Sequence, residues 1–191
     1  LGGDGNDTLR GGADNDLLQG RQGNDVVLGQ SGDDLMIWNN GDGSDFLEGG
    51  TDFDIVEVNG ADGAGDDISI APNGGRVRLQ RNNLALFQLN IGTTELLKIN
   101  GGGGGDVIAG SIGLLGLIEL EIDGGDGNDL IIGGDGSDQL RGGIGNDTLL
   151  GMKGNDEVFG DEGSDLIIWN NGDGSDLIEG GADNDTVQVN G

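Results

Sequence analysis

Thirteen aspartates recur in this chain at the sixth place of a nine-residue repeat: Asp7, Asp16, Asp25, Asp34, Asp45 and Asp54, then Asp129, Asp138, Asp147, Asp156, Asp165, Asp176 and Asp185. Two places after each stands an aliphatic residue or Met: Leu9, Leu18, Val27, Met36, Leu47 and Val56, then Ile131, Leu140, Leu149, Val158, Ile167, Ile178 and Val187. Two side-chain types held in phase over so many copies mark a solenoid. On stacked turns of a solenoid such carboxylates lie about 4.8 Å apart. Ringed by backbone carbonyls, they form a site for a hard cation. Calcium suits it, because calcium takes roughly six to eight oxygens in flexible geometry while magnesium holds on to its water. The chain has no His and no Cys, which removes the usual ligands of zinc, copper and iron.

The elements that must position these groups follow from the rest of the repeat. Places one to six read as a turn, where glycine tolerates positive φ and lets carbonyls converge. Asn40 and Asn171 replace the first glycine, and Asp14, Asp52 and Asp183 take the fourth place. Asn and Asp are the next best residues for a left-handed conformation. Places seven to nine leave room only for a short strand, with the eighth side chain inward and the seventh and ninth outward. Two nonapeptides then make one flat coil, and the Asp of each repeat stacks on that of the repeat two further on.

Composition taken alone points to disorder, with a net charge of −28, 45 glycines and 33% hydrophobic residues. The period overturns that reading on one condition: 36 acidic side chains repel one another, so the fold needs a cation to neutralise them.

Stretches such as GGDGNDTLR from Gly2 and GGDGNDLII from Gly124 resemble, at every defined place, the RTX or haemolysin-type calcium-binding repeats. The resemblance covers about two-thirds of the chain. It implies an all-β fold, a right-handed parallel β-roll or β-solenoid with calcium between turns. In that family one repeat supplies its second and fourth carbonyls and its Asp. The repeat two further on supplies its first and third carbonyls and its Asp. In the first run the resemblance therefore implies ions among Gly3, Gly5, Asp7, Gly20, Gln22 and Asp25; among Gly12, Asp14, Asp16, Gly29, Ser31 and Asp34; among Arg21, Gly23, Asp25, Asn40, Asp42 and Asp45; and among Gln30, Gly32, Asp34, Gly49, Thr51 and Asp54.

In the second run it implies ions among Gly125, Gly127, Asp129, Gly142, Ile144 and Asp147; among Gly134, Gly136, Asp138, Gly151, Lys153 and Asp156; and among Gly143, Gly145, Asp147, Gly160, Glu162 and Asp165. Two more fall among Met152, Gly154, Asp156, Asn171, Asp173 and Asp176, and among Asp161, Gly163, Asp165, Gly180, Ala182 and Asp185. Arg21, Gln30, Met152 and Asp161 depart from glycine at the second place, but a carbonyl donor survives the substitution.

A longer repeat overlies the short one. Residues 1–60 align without a gap to 132–191, an offset of 131, with 39 identities in 60. Even the two-residue insertion Trp38-Asn39 recurs, as Trp169-Asn170. The chain thus reads as a window of a tandem array, with a calcium-binding roll over 1–57, a metal-poor β segment over 58–123 and a second roll over 124–191. The middle segment carries Arg76, Arg78, Arg81, Lys98 and the sole Pro72. Alternating stretches at Ile68–Ile70, Val77–Leu79, Leu84–Ile91, Glu95–Ile99 and Leu117–Ile122 predict strands. The lone nonapeptide Gly101–Ala109, with Asp106 at its sixth place, predicts that the solenoid continues as wider coils.

Outward places suggest partners. One face is expected to collect Leu17, Leu35, Ile37 and Ile55, with Leu130, Ile132, Leu150, Leu166 and Ile168 as its second-run equivalents. The other carries Arg10, Glu48, Gln139, Arg141, Glu157 and Glu179, with Val26, Leu28, Phe46, Phe159 and Leu177 among them. A continuous aliphatic strip predicts self-association. A polysaccharide is a further candidate, stacking on Trp38 and Trp169 or meeting the arginine cluster, whose plainer role is as exposed strand residues between buried Val77 and Leu79. Nothing points to nucleic acid or to membrane insertion.

The residues favour a secreted, cell-surface or extracellular structural or adhesive array, folding on calcium binding outside the cell. The alternative is a calcium-dependent secretion and folding module of an exported enzyme such as a protease, lipase or polysaccharide-modifying enzyme. An ice-binding solenoid would show outward ranks of Thr, and only Thr8, Thr148 and Thr186 are scattered there. Catalysis within these residues is not expected, because no nucleophile motif is present and the carboxylates are committed to metal. Glu48 and Glu179 are equivalent places in two copies rather than an acid pair.

Overall fold

Every third or fourth residue being glycine or a turn former, the chain can sustain only short extended segments, and these are what form. The computed structural model describes residues 1–191, and its regular elements are nineteen β-strands in two sheets around one apolar core. In the first run β1 (Thr8–Gly12) is followed by β2 (Leu17–Leu18), β3 (Val26–Ser31), β4 (Leu35–Asn39), β5 (Phe46–Thr51) and β6 (Ile55–Asn59). The odd-numbered strands enter one sheet and the even-numbered the other. The middle of the chain forms β7 (Asp67–Asn73), β8 (Arg76–Arg81), β9 (Gln88–Gly92), β10 (Leu96–Asn100), β11 (Val107–Gly110) and β12 (Glu119–Asp126). The second run forms β13 (Leu130–Ile132), β14 (Gln139–Ile144), β15 (Thr148–Leu150), β16 (Glu157–Glu162), β17 (Leu166–Asn170), β18 (Leu177–Ala182) and β19 (Thr186–Asn190).

The eleven-stranded sheet runs β1-β3-β5-β9-β8-β7-β11-β13-β15-β17-β19, and the eight-stranded sheet runs β18-β16-β14-β12-β10-β6-β4-β2. Pairing is parallel throughout except at β7–β8 and β8–β9. There the chain reverses through Gly74 and Gly75 after Asn73, with Gly74 at φ 69°. The eight-stranded sheet thus passes unbroken through the middle segment, while the other sheet takes in an antiparallel meander.

Register places the eighth residue of each repeat on that of the repeat two further on: Leu9 on Val27, Val27 on Leu47, Met36 on Val56 and Leu149 on Ile167. These side chains form the core with Leu97, Ile108 and Leu120 from the middle segment. Each fully buried aliphatic side chain is worth about 1.5–3 kcal/mol. At one end of the stack the burial stops, and Val187 is 48% exposed.

Two expectations are corrected by this topology. The aliphatic strips do not share a face: Leu17, Leu35, Ile37 and Ile55 lie in the eight-stranded sheet, whereas Leu130, Ile132, Leu150, Leu166 and Ile168 lie in the eleven-stranded sheet. An offset of 131 residues carries the chain through an odd number of sheet changes, so the copy swaps faces. Arg10 and Glu48 part from Gln139, Arg141, Glu157 and Glu179 in the same way. The first glycine of the repeat also has no positive φ, and neither have Asn40 and Asn171. Close approach is what selects glycine there: a Cβ on Gly2 would lie 2.4 Å from Gly20 O and 2.8 Å from its own repeat's Asp7 Oδ2.

Candidate metal centre

Each sixth-place aspartate follows a turn and precedes a strand, which fixes its backbone in the ladder while its side chain turns back toward the neighbouring coil. One carboxylate oxygen then accepts the amide of the preceding coil's aspartate. On the edge beside the eleven-stranded sheet, Asp7 N donates to Asp25 Oδ1 at 2.7 Å and Asp25 N to Asp45 Oδ1 at 2.8 Å. The pattern resumes from Asp66 N to Asp106 Oδ1 (2.5 Å), Asp106 N to Asp129 (2.7 Å), Asp129 N to Asp147 (2.8 Å), Asp147 N to Asp165 (2.8 Å) and Asp165 N to Asp185 (3.1 Å). On the other edge Asp16 N meets Asp34 at 2.8 Å, Asp34 N meets Asp54 at 2.9 Å, and Asp54 N meets Glu95 Oε2 at 2.8 Å. That ladder continues from Asp138 N to Asp156 (3.0 Å) and from Asp156 N to Asp176 (3.1 Å).

The second oxygen is the informative one. Oδ2 of Asp16, Asp25, Asp34, Asp54, Asp106, Asp129, Asp147, Asp156 and Asp165 is buried and meets no donor. A buried carboxylate oxygen without a partner is costly, and a row of them fits a bound cation.

The backbone around them stacks in the same two-repeat register. Gly5 N donates to Gln22 O, Gly23 N to Asp42 O, Gly127 N to Ile144 O, Gly145 N to Glu162 O and Gly154 N to Asp173 O, all at 2.6–2.7 Å. Gly3 N donates to Gly20 O at 3.2 Å. First- and third-place carbonyls of one repeat therefore sit against second- and fourth-place residues two repeats earlier. The register Gly12↔Gln30, Gln30↔Gly50, Gly125↔Gly143, Gly143↔Asp161 and Asp161↔Gly181 extends this along the strands. Second-place Arg21, Gln30, Met152 and Asp161 take φ of 72°, 90°, 74° and 73°, and fourth-place Asp14, Asp52 and Asp183 take 77°, 83° and 74°. They follow the left-handed path of the glycines they replace, at some strain. No three acidic side chains converge anywhere, so a cation held here would have paired carboxylates and backbone carbonyls to draw on. That all-oxygen donor set is calcium's.

Burial pushes the Asp45 and Asp156 carboxyls up to about 7, with stacked neighbours Asp25 and Asp138 adding to the shift. It pushes Asp54, Asp106 and Asp147 up to about 6 and raises Asp129, Asp138 and Asp165 as well. Raised folded-state values mean that the metal-free fold holds more protons than the unfolded chain between about pH 4 and 7, so its stability falls as pH rises through that window. In EDTA, β structure is expected to be greater near pH 4.5 than at pH 7.5, read by circular dichroism. A metal-free β signal that grows with pH would contradict the burial of these groups.

Two members of the ladders lie outside the nine-residue period. Asp106 was visible as the sixth place of a lone nonapeptide, but Asp66 arrives one residue late after Gly60, and Glu95 stands where a repeat would have Asp. Other candidates are reassigned. Trp38 is 1% exposed and stacked on Phe87, which closes it to a sugar. Arg76 pairs with Glu48 and lies over the Phe46 ring at 4.0 Å, and Arg81 is buried against Asp66, so the arginines form no common patch. Glu48 in β5 and Glu179 in β18 lie in different sheets.

A calcium-binding β-solenoid is the class these features define. A family model described as the RTX calcium-binding nonapeptide repeat matches in four copies, over residues 1–36, 121–149, 132–167 and 171–191. The chain belongs to that family, and its repeats bind calcium. No curated protein matches it. Among solved structures it is similar to the extracellular lipase LipA from Serratia marcescens, at 20% identity and a TM-score of 0.26, over 95% of this chain and 32% of that one. The chain spans about a third of that protein's length.

Proposed function

We propose that the chain is part of a secreted, tandem-repeat structural or adhesive protein that is disordered at intracellular calcium and folds as a solenoid outside the cell. Members of the family are typically secreted. The observation that carries the structural reading is the internal duplication: 39 of 60 positions, including the Trp-Asn insertion, recur at an offset of 131. Selection that keeps whole multi-coil units alike favours an array over a single binding site. The division into rolls at 1–57 and 124–191 with a distinct segment at 58–123 is part of this proposal, as are the full ligand sets given above.

Self-association follows from the swapped aliphatic strips. Leu35, Ile37 and Ile55 on one sheet and Leu130, Leu166 and Ile168 on the other offer a contact between unlike faces of two copies. Such a contact is heterologous, and where its rotation does not close a ring it repeats into a fibre or layer. Sedimentation velocity in millimolar calcium is expected to show concentration-dependent assembly, and Ile168→Lys is expected to reverse most of it. A chain that stays monomeric at every concentration, or an Ile168→Lys protein that assembles unchanged, would remove the lateral-packing idea.

A further inference from the structure

Beside the eleven-stranded sheet the aspartate ladder stops at Asp45 and resumes at Asp66. Asn90 N donates to Asp45 O at 2.9 Å, so the residue in register with Asp45 is Leu89, a core side chain with no carboxylate to offer. One of the oxygens a calcium above Asp45 would draw on is already engaged. Trp38 Nε1 donates to Gly43 O at 2.9 Å, which takes up the fourth-place carbonyl of that repeat. Arg81 donates from Nη1 and Nη2 to Asn40 Oδ1 at 2.9 and 3.0 Å. Its Nε lies 2.9 Å from Asp66 Oδ1, an ion pair without hydrogen-bond alignment, and its Nη2 lies 3.5 Å from Asp66 Oδ2. Asp66 Oδ2 also accepts from Ala61 N at 2.9 Å.

Both charged side chains are sealed, at 1% and 0% exposure. Phe87 covers them, stacking on Trp38 with 3.8 Å between centroids and lying 5.0 Å from the guanidinium carbon. A buried, unpaired carboxylate is expensive, and so is a buried guanidinium. Each is stable here because of the other. No other ladder carboxylate has a basic side chain within 4.0 Å.

We propose that Arg81 is a built-in cation standing in for calcium at the joint between the two runs. This rung closes without metal, and it divides the edge into two calcium-binding stretches, Asp7–Asp45 and Asp66–Asp185, that load separately. The inference rests on reading the ladders as calcium sites, and its test separates the two. Trp38 reports on the joint directly, and Trp169→Phe in the full chain leaves it as the sole indole.

On titration with calcium, Trp38 emission in that protein is expected to reach its buried position at about a tenfold lower calcium concentration than the far-UV β signal. Arg81→Lys, which keeps the charge, is expected to preserve the separation. Arg81→Gln, which removes it, is expected to merge the two transitions. Coincident transitions in the Arg81 protein, or a separation that survives Arg81→Gln, would overturn the proposal while leaving the calcium ladders standing. A β signal indifferent to calcium would sink both. Should Arg81→Gln fail to fold at any calcium concentration, the double variant Asp66→Asn/Arg81→Gln decides. Recovery with merged transitions supports the built-in cation, and continued failure overturns it.

Discussion

Excess EDTA at neutral pH is expected to convert this chain from a β-rich solenoid to an expanded coil, with a radius of gyration of roughly 45 Å, the value for an unfolded chain of its length. The effect is large because the metal opposes a large repulsion. Six repeats in the first run give four stacked pairs and seven in the second give five, so nine ions. They bring +18 against a net −28 and leave −10. The buried Oδ2 atoms lose their only counter-charge when the ions leave. Core burial cannot compensate, since the coils are thin and their inward positions are mostly single aliphatic residues. Extracellular calcium sites bind at about 10⁻⁴–10⁻³ M, so the same transition is expected on crossing from cytosolic to external calcium. Circular dichroism and small-angle scattering with and without chelator report it. A β spectrum and compact dimensions that survive EDTA at pH 7.5 would show that the fold does not depend on metal.

The second large effect is steric. Fourth-place glycines of stacked repeats approach one another's backbone so closely that a Cβ has nowhere to go: on Gly145 it would lie 1.4 Å from Gly127 O. Gly145 also has φ 149°. Gly145→Ala therefore has to push apart the carbonyls of two coils at the rung formed by Asp129, Asp147 and Asp165. A loss of at least ~4 kcal/mol is expected, in the range reserved for backbone clashes and broken networks. Gly5 is the control, because it too has positive φ (103°) but its Cβ would meet nothing within 4 Å. Gly5→Ala is expected to cost about 1–2 kcal/mol, the left-handed penalty alone. Urea unfolding in saturating calcium measures both, and equal losses would mean that the coils are less tightly stacked than the structure places them.

Much of this architecture is written in the phase of the sequence. Asp25 on Asp7 and Val27 on Leu9 follow from a nine-residue period and a two-repeat coil, because a solenoid converts sequence distance directly into stacking. Where the phase lapses, legibility lapses with it. Alternation at Val77–Leu79 predicts a strand but not its direction. Antiparallel pairing of β7 with β8 is set by the tight Asn73–Arg76 reversal, a hairpin signal that the dominant parallel period obscured. Asp66 is shifted by one residue in its turn, and Arg81 reaches it from a different strand, a contact that no local pattern encodes. The face swap of Leu35 and Leu166 escaped for a related reason: identical sequence fixes the coil but not its parity, which depends on every strand in between. Trp38 and Trp169, identical in context, differ because Phe87 and Arg81 come from outside the repeat.

The central claim is that stacked aspartates, two repeats apart, share calcium ions. Counting bound calcium by equilibrium dialysis on the folded protein and two variants tests it most directly. Asp25 accepts from Asp7 and donates to Asp45, so it belongs to two rungs, whereas Asp7 belongs to one. The thirteen repeats supply nine ions. Relative to that count Asp7→Ala is expected to lose one ion and Asp25→Ala two. Equal losses in the two variants, or a folded chain that binds no calcium, would contradict the account.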